Sequence, residues 1–261
     1  NINPWFNIPH AASDDYIVQL ARYVNTRLKP SLKVYLEYTN EAWNNVFVPQ
    51  AEHMKQNGTR MKLDADRRVA GFKFYSMQSV HVFKQWEKVF GGTDRLIRVI
   101  GGLTTDLNMS ETMLAYRKAF QHIDALAIAP YFYIAQNQLG RVNSVDNVFN
   151  LLGEASNRYS INNLMKVIRQ QAQLAKSYGV DLVAYEGGQH LVDHKTHKLT
   201  EGATPHLIAA NRDPRMAREY YRFLSSWKEA GGNLFIAFSA PRPHTWHGSW
   251  GVKEYINQTA S

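Results

Sequence analysis

Short runs of apolar residues alternate along this chain with longer segments in which apolar and polar positions follow a helical period. Nearly continuous apolar runs are typical of parallel strands that are covered on both faces. These runs predict six strands, at residues 4–9, 33–39, 96–101, 125–130, 181–185 and 233–239.

Helix boundaries can be read between these strands. Ser13 stands before two aspartates, and Asp213 stands before a proline, so both residues are expected to cap the first turn of a helix. Gly179 and Gly231 lie where two helices should stop. Residues 64–90 predict a further long helix, whose strongly charged start we interpret as a solvated helix end.

Strands that alternate with helices indicate either an open doubly wound sheet or a (β/α)8 barrel of the TIM type. No glycine-rich phosphate fingerprint follows any of the strands, whereas polar clusters follow nearly all of them, which favours the barrel. Six strands are two short of closure, and the first predicted strand begins almost at residue 1. We therefore expect residues 1–261 to be a single α/β domain, the C-terminal part of a barrel. Its first two strands would lie upstream or on another chain, and the open edges would be covered by that segment or by oligomerisation.

Composition narrows the classes of function. Hydrophobic residues make up 44% of the chain, as in a globular protein, and no apolar run approaches the length of a membrane span. The net charge is +8, but the basic residues are scattered, so neither nucleic acid nor a membrane is expected as a partner. The absence of cysteine excludes disulfides, thiolate metal sites and a cysteine nucleophile.

Two glutamates stand where predicted strands end. Glu41 follows the second strand, beside Asn40 and Trp43, and Glu186 follows the fifth strand. Strand ends converge over the mouth of a barrel, so two such carboxylates can face one another across a ligand. Paired carboxylates are what glycoside cleavage needs, because one protonates the leaving oxygen and the other stabilises or attacks the anomeric carbon. An aromatic residue beside them, such as Trp43, is a candidate for stacking on a sugar ring.

The segments "YTNEAWN" and "AYEGG" resemble clan A of the glycoside hydrolases, the retaining (β/α)8 enzymes that include many endoglucanases. With "PWFNIPHAASDDY", "AIAPYF" and "GSWG", nearly the whole chain also resembles bacterial secreted proteins described as cellulose-binding or cellulase-like. The resemblance implies a secreted, endo-acting hydrolase of a β-linked polysaccharide, with β-glucan or cellulose as the favoured substrate class and no cofactor.

The resemblance also implies roles for individual residues. Glu41 would be the acid/base and Glu186 the nucleophile, with Asn40 as a hydrogen-bonding partner of the sugar. Tyr131 matches the position that touches the nucleophile in this clan. Trp246 and Trp250 compete for the position of the sugar platform after the last strand.

Histidines add further candidates. His10 ends the first strand and would point toward the barrel mouth, and His190 follows Glu186 closely enough to line a sugar site. The segment "HLVDHKTHK" holds His190, Asp193, His194 and His197, which could together bind zinc. No strand positions this segment and it is very polar, so we interpret it as a solvated loop and predict no metal site.

A second acid, Glu37, lies within the same strand as Glu41. Side chains alternate along a strand, so Glu37 and Glu41 share a face, which places Glu37 in the interior. A buried carboxylate needs a partner, and Arg98, an anomalous charge in the next predicted strand, is the partner we predict.

Two other functions remain open on the sequence. A non-catalytic glycan-binding module could use the same barrel and aromatic residues without cleaving the polysaccharide. A carbohydrate esterase would release acetate in place of reducing ends, although no serine-hydrolase elbow motif is present.

Overall fold

The computed structural model describes residues 2–196 and 198–259. Its strands are β1 (Trp5–Ile8), β2 (Val34–Tyr38), β3 (Leu96–Gly101), β4 (Ala125–Ile128), β5 (Tyr131–Phe132), β6 (Asp181–Ala184), β7 (Gly188–Gln189) and β8 (Gly232–Phe235). The helices are α1 (Asp14–Arg27), α2 (Val48–Arg60), α3 (Arg67–Phe90), α4 (Leu107–Ala115), α5 (Val145–Gly153), α6 (Ile161–Ser177), α7 (Thr204–Arg212) and α8 (Pro214–Glu229). Two 3₁₀ segments cover Tyr116–His122 and Gln136–Arg141.

Across the described ranges, one sheet holds six strands in the order β1-β2-β3-β4-β6-β8, and β5 pairs with β7 in a separate two-stranded ribbon. The pairings β1–β2, β2–β3 and β3–β4 are parallel. The predicted α/β fold with six parallel strands and intervening helices is therefore confirmed. The last strand ends at Phe235, several residues before the predicted end at 239.

The predicted helix ends agree with the observed caps. Ser13 accepts a hydrogen bond from the backbone N–H of Tyr16, and Asp213 accepts one from that of Arg215. Gly179 and Gly231 have positive φ angles of 71° and 95°, the left-handed conformation that glycine adopts without steric cost.

The chain divides into two compact units. The first contains residues 2–128 and 173–183, and its core lies between the strands β1–β4 and the helices α1 and α3. The second contains residues 129–172 and the described residues from 184 onward. An aromatic cluster forms part of its core, with neighbouring ring centroids 5.2–5.6 Å apart, and consists of Phe132, Phe223, Trp227 and Phe235.

Glu37 is buried, as its position in β2 predicts, with only 1% of its surface exposed. Its Oε2 accepts a hydrogen bond of 3.0 Å from the indole Nε1 of Trp5 on the neighbouring strand. On the other side, a Cβ placed on Gly101 would lie 2.5 Å from Oε1 of Glu37, so only glycine fits at that position without a shift. The Glu37 carboxylate also raises the pKa of Tyr75, after the larger effect of burial.

The predicted pair of Glu37 with Arg98 is wrong. In the β2–β3 register, Glu37 lies beside Val99, and Arg98 lies beside Leu36, so the side chains of Glu37 and Arg98 point to opposite faces of the sheet. Arg98 instead forms a fork with Asp124, with N–O distances of 2.8 and 2.7 Å, and also contacts Oε1 of Glu87 at 2.8 Å.

Within residues 2–196 and 198–259, no helix combines the length and the apolar character that crossing a bilayer requires.

Candidate functional site

The loop that carries Glu41 has an unusual backbone. It begins directly after β2, and both Thr39 (φ +51°) and Glu41 (φ +47°) adopt the left-handed conformation. Such angles are uncommon outside glycine and cluster at functional sites, where the surrounding contacts maintain them. Glu41 itself is 9% exposed, so a carboxylate lies almost buried at the end of a strand.

The turn that follows Glu41 holds its carboxylate. The side-chain amide of Asn44 donates a hydrogen bond of 2.6 Å to Oε2 of Glu41, and the backbone N–H of Asn44 donates to the carbonyl of Glu41 at 2.9 Å. Asn44 is not among the site residues predicted from the sequence. Its signal was the spacing of three residues, at which an asparagine amide can reach back within one turn.

Asn40 and Trp43 flank Glu41 but have different surroundings. The carbonyl of Asn40 accepts a hydrogen bond of 3.1 Å from the side chain of Gln50 on α2, which fastens this loop to the helix that follows it. Trp43 is half-buried and lines a cavity between α2 and α3.

His10 lies in the same compact unit as Glu41. Its carbonyl accepts a hydrogen bond of 2.8 Å from the hydroxyl of Tyr38, the last residue of β2. Its ring meets that of His53 edge-on at 5.2 Å. Burial lowers the pKa of His53, and the neighbouring His10 and Arg60 lower it further. His10 is therefore half-buried beside a second histidine, in the unit that holds the β2 strand end.

The second candidate carboxylate, Glu186, lies two residues after the end of β6. The hydroxyl of Tyr131 on β5 donates a hydrogen bond of 3.0 Å to its Oε1. The Tyr131 ring is positioned by edge contacts with His190 at 5.4 Å and with Phe238 at 6.4 Å. The Glu186 carboxylate is therefore held by a phenol donor whose ring is itself fixed by two neighbouring aromatic side chains.

The two glycines after Glu186 are required by close approach. A Cβ on Gly187 would lie 2.9 Å from the carbonyl oxygen of Pro130, so a side chain would push against the backbone that leads into β5. Gly188 has a φ of +130°, and a Cβ there would lie 2.6 Å from the hydroxyl of Tyr220. Tyr220, on α8, also accepts a hydrogen bond of 3.0 Å from the backbone N–H of Gln189.

His190 connects this strand end to the C-terminal segment. Its Nδ1 accepts a hydrogen bond of 3.2 Å from the indole of Trp250, whose ring also lies 5.8 Å from that of Phe238. Burial, with a smaller contribution from His194, lowers the pKa of His190 to about 4. Phe238 and Tyr220 were not singled out by the sequence analysis, because their contacts with this site span dozens of residues.

The two tryptophans of the C-terminal segment have different neighbours. Trp250 contacts His190 and Phe238, and the guanidinium of Arg242 lies 5.6 Å from its ring. Trp246 is half-buried, and its ring stacks on that of His247 with centroids 3.5 Å apart.

The histidine-rich segment forms a turn around Asp193. The carboxylate of Asp193 accepts a hydrogen bond of 2.6 Å from the Thr196 hydroxyl and another of 3.0 Å from the backbone N–H of Lys195. His197 lies outside the described residues. Among the residues that the structure does describe, no three His, Asp or Glu side chains are grouped as metal ligands.

Comparisons with known proteins identify the fold. No protein-family model matches the chain. No curated protein matches it either. A modular endo-β-1,4-mannanase of glycoside hydrolase family 26 from Cellulomonas fimi is similar in structure, with a TM-score of 0.52 and 12% identity over 95% of this chain.

Two further solved structures are similar at lower scores. A double mutant of an endo-β-1,4-mannanase from Cellulomonas fimi has a TM-score of 0.49 and 11% identity, over 86% of this chain and 39% of its own. The catalytic domain of a family 26 endo-β-1,4-mannanase from Bacillus sp. JAMB-750 has a TM-score of 0.32 and 11% identity, over 86% of this chain and 60% of its own.

The chain spans 43% of the length of the modular mannanase. At 12% identity this likeness shows the fold alone, an α/β fold of the TIM-barrel type, of which the described residues form a sheet of six strands.

Proposed function

We propose that the protein is a retaining, endo-acting β-glycoside hydrolase that cleaves a β-linked polysaccharide. The observation that carries the proposal is the hydrogen bond from Tyr131 to Glu186. The Glu186 carboxylate follows a parallel strand, accepts a hydrogen bond from a phenol and precedes two glycines that close contacts require. These are surroundings that suit a nucleophile. A solvated loop residue would need none of them.

Glu41 supplies the second carboxylate of the proposal. Each of the two glutamates follows a strand, Glu41 after β2 and Glu186 after β6. Glu41 is nearly buried, and Asn44 holds its carboxylate in place. A general acid must be held in this way, because it has to deliver its proton to one particular atom of the substrate.

The two residues divide a double displacement between them. The Glu186 carboxylate attacks the anomeric carbon, while Glu41 gives its proton to the departing glycosidic oxygen. The product of this step is a glycosyl ester on Glu186 and a free sugar hydroxyl. Glu41, now ionised, takes a proton from water, and the resulting nucleophile releases the sugar with the anomeric configuration of the substrate.

The remaining candidates are proposed to contact the sugar. Asn40 would hold the 2-hydroxyl of the sugar that is attacked. Trp250 and Trp246 offer flat faces for stacking on sugar rings. His190 would donate a hydrogen bond from Nε2, because its Nδ1 already accepts one from Trp250. His10 would contact the sugar beside the β2 strand end.

The substrate class is proposed as a β-1,4-linked polysaccharide. The family resemblance favours a β-glucan of the cellulose type. The modular mannanase with the same fold makes a β-1,4-mannan the second substrate to test.

A reducing-end assay over soluble β-glucan, glucomannan and mannan tests the proposal. We expect Glu186→Gln and Glu41→Gln to lose activity by three or more orders of magnitude on the best substrate. Glu111→Gln, which changes an exposed glutamate on α4, is the matched control and should keep full activity. Bound polysaccharide without new reducing ends would instead identify a glycan-binding module, and release of acetate would identify an esterase.

A further inference from the structure

The backbone carbonyl of Ser249 accepts hydrogen bonds from two side chains that come from different elements of the second compact unit. The side-chain amide of Gln189, on β7, donates to it at 2.6 Å. The side-chain amide of Asn211, on α7, donates to it at 2.8 Å. A carbonyl oxygen has two lone pairs, so these bonds use both of them and hold the peptide unit between Ser249 and Trp250 from two directions.

The orientation of each amide is fixed by its other hydrogen bond. The Oε1 of Gln189 accepts a hydrogen bond of 2.8 Å from the backbone N–H of Leu191, which leaves its Nε2 to face Ser249. The Nδ2 of Asn211 also lies 3.0 Å from Nε2 of His244, a ring nitrogen that accepts when the imidazole is neutral. Turning either amide over would place its oxygen against the Ser249 carbonyl oxygen, so both residues act here as donors.

The peptide unit held by these amides carries Trp250, whose side chain has a fixed place of its own. The indole of Trp250 donates to Nδ1 of His190 at 3.2 Å. A Cβ placed on Gly248 would lie 2.5 Å from the six-membered part of the Trp250 ring, so the ring lies directly against the backbone that precedes it. The location of the indole therefore depends on where the backbone of residues 248–250 is held.

Trp250 lies close to the proposed nucleophile. Its ring centroid is 5.8 Å from that of Phe238, and the Phe238 centroid is 6.4 Å from that of Tyr131. The hydroxyl of Tyr131 donates to Glu186. Phe238 thus bridges the Trp250 indole and the tyrosine that holds the carboxylate. Trp250 is only half-buried, so part of its surface is open to a ligand.

We infer that Gln189 and Asn211 are positioning residues for Trp250, and that Trp250, rather than Trp246, is the platform on which a sugar ring stacks. A stacking surface discriminates between ring positions only when its own position is held, and the two amides hold that of Trp250. Trp246 stacks instead on His247, its neighbour in the chain. That a sugar lies on Trp250 rests on the proposed function, whereas the positioning of the indole by the two amides does not.

The indole N–H signals of the ¹⁵N-labelled protein test the positioning. Trp250→Phe identifies the Trp250 signal among those of the six tryptophans. We expect that signal to move in Asn211→Leu, because loss of the amide lets the peptide unit shift and changes the hydrogen bond to His190. Gln170→Leu, which changes an exposed glutamine on α6, is the control and should leave the signal in place. An unmoved signal in Asn211→Leu would overturn the inference.

Gln189→Met removes the second donor. Methionine keeps the length of the side chain at a position that is 1% exposed, and the variant should move the same Trp250 signal. Asn211 is half-buried, so Asn211→Leu decides the question by itself if Gln189→Met does not fold.

A mutant cycle on the best polysaccharide substrate tests whether Asn211 acts through Trp250. Loss of one neutral hydrogen bond corresponds to about threefold to tenfold. We expect this factor as a rise in KM with kcat nearly unchanged, because a stacking surface binds the ground state and the transition state alike. Asn211→Leu combined with Trp250→Phe should then be no worse than Trp250→Phe alone.

Two results of this cycle would contradict the inference. Losses that multiply in the double variant, or a loss confined to kcat, would show that Asn211 does not act through Trp250. A larger rise in KM for Trp246→Phe than for Trp250→Phe would overturn the choice of platform.

The measurements also separate this inference from the proposed function. If the protein retains soluble β-glucan or mannan in affinity electrophoresis but releases no reducing ends, the same cycle is measured as dissociation constants, and only the hydrolase is rejected. A protein that neither binds nor cleaves these polysaccharides rejects the platform together with the proposed function. A Trp250 signal that moves in Asn211→Leu would still support the positioning by the amides.

Discussion

The indole Nε1 of Trp250 lies 3.2 Å from Nδ1 of His190. Tryptophan can only donate, so Nδ1 must be the acceptor and the neutral imidazole carries its proton on Nε2. Burial of the ring, with a smaller contribution from His194, lowers the pKa of His190 to about 4. Protonation of Nδ1 would also break the hydrogen bond from Trp250.

Stability should therefore fall as the solution becomes more acidic. In the unfolded chain His190 takes up a proton as the pH falls through about 6.5, whereas in the folded protein it does so only near 4. We expect the free energy of unfolding to drop by about 2 kcal/mol from this residue between pH 7 and pH 5. Urea unfolding at the two pH values measures this drop.

The variant His190→Asn isolates the contribution. Its unfolding free energy should depend less on pH than that of the wild type over this range, while His247→Asn, at an exposed position, should follow the wild type. Parallel profiles for all three proteins would show that His190 titrates normally.

Removal of the Tyr131 hydroxyl should impair the proposed nucleophile without unfolding the protein. Tyr131→Phe keeps the ring contacts with His190 and Phe238 and loses only the 3.0 Å hydrogen bond to Glu186. A hydrogen bond to a charged group contributes about 1.5–3 kcal/mol, so kcat/KM should fall about 10- to 100-fold. Tyr133→Phe, which changes a neighbouring tyrosine, is the control, and equal losses in both variants would remove Tyr131 from the mechanism.

The proposed double displacement predicts retention of configuration. The first product formed from a β-linked oligosaccharide should be the β-anomer, because two inversions restore the starting geometry. Proton NMR in the first minutes of the reaction, before mutarotation, distinguishes the anomers. An initial α-anomer would require a water molecule in place of the Glu186 ester.

Double-mutant cycles should find the partner of Arg98. Burial tends to raise the pKa of Asp124, but the hydrogen bonds from Arg98 outweigh it, and the pKa is lowered overall. We expect a coupling energy of about 1–3 kcal/mol between Arg98→Met and Asp124→Asn in urea unfolding at pH 7. The cycle between Arg98→Met and Glu37→Gln should give a value within about 0.5 kcal/mol of zero, since their side chains lie on opposite faces of the sheet.

The ion pair between Arg98 and Asp124 should also make stability depend on pH in the acidic range. Asp124 has a lowered pKa, so its contribution is fully present at neutral pH and is lost as the pH falls below its ordinary value near 3.8.

The six strands of the main sheet were predictable because each is a nearly continuous apolar run, whereas the two-residue strands β5 and β7 were not predicted. β3 begins and ends at the predicted residues, 96 and 101, and its one charge, Arg98, did not interrupt the pattern. α2 was not predicted, because it is polar and contains Gly58, and glycine has a low helix propensity. The structure explains this glycine, since a Cβ there would lie 2.2 Å from the carbonyl oxygen of Ala70 on α3.

The partners of charged residues were less predictable. The sequence identified Glu37 and Arg98 as anomalous charges, but which residues face each other depends on strand register, and a shift of one residue reverses every face. The contacts of the candidate site were also hard to predict, because they join residues that are far apart in the sequence. The residues that end strands could be found from local patterns, whereas Trp250 reaches His190 from 60 residues away and Phe238 reaches Tyr131 from more than 100 residues away.

The two glycines after Glu186 limit which positions of this site can be substituted. Position 187 is closed by the Pro130 carbonyl and position 188 by the Tyr220 hydroxyl, so a randomised library gains no functional diversity at either. Variation aimed at a new sugar preference belongs at the aromatic positions whose rings face this strand end, such as 238 and 250. Substitution at this strand end is thus confined to the side chains around it, because positions 187 and 188 have no room for a Cβ atom.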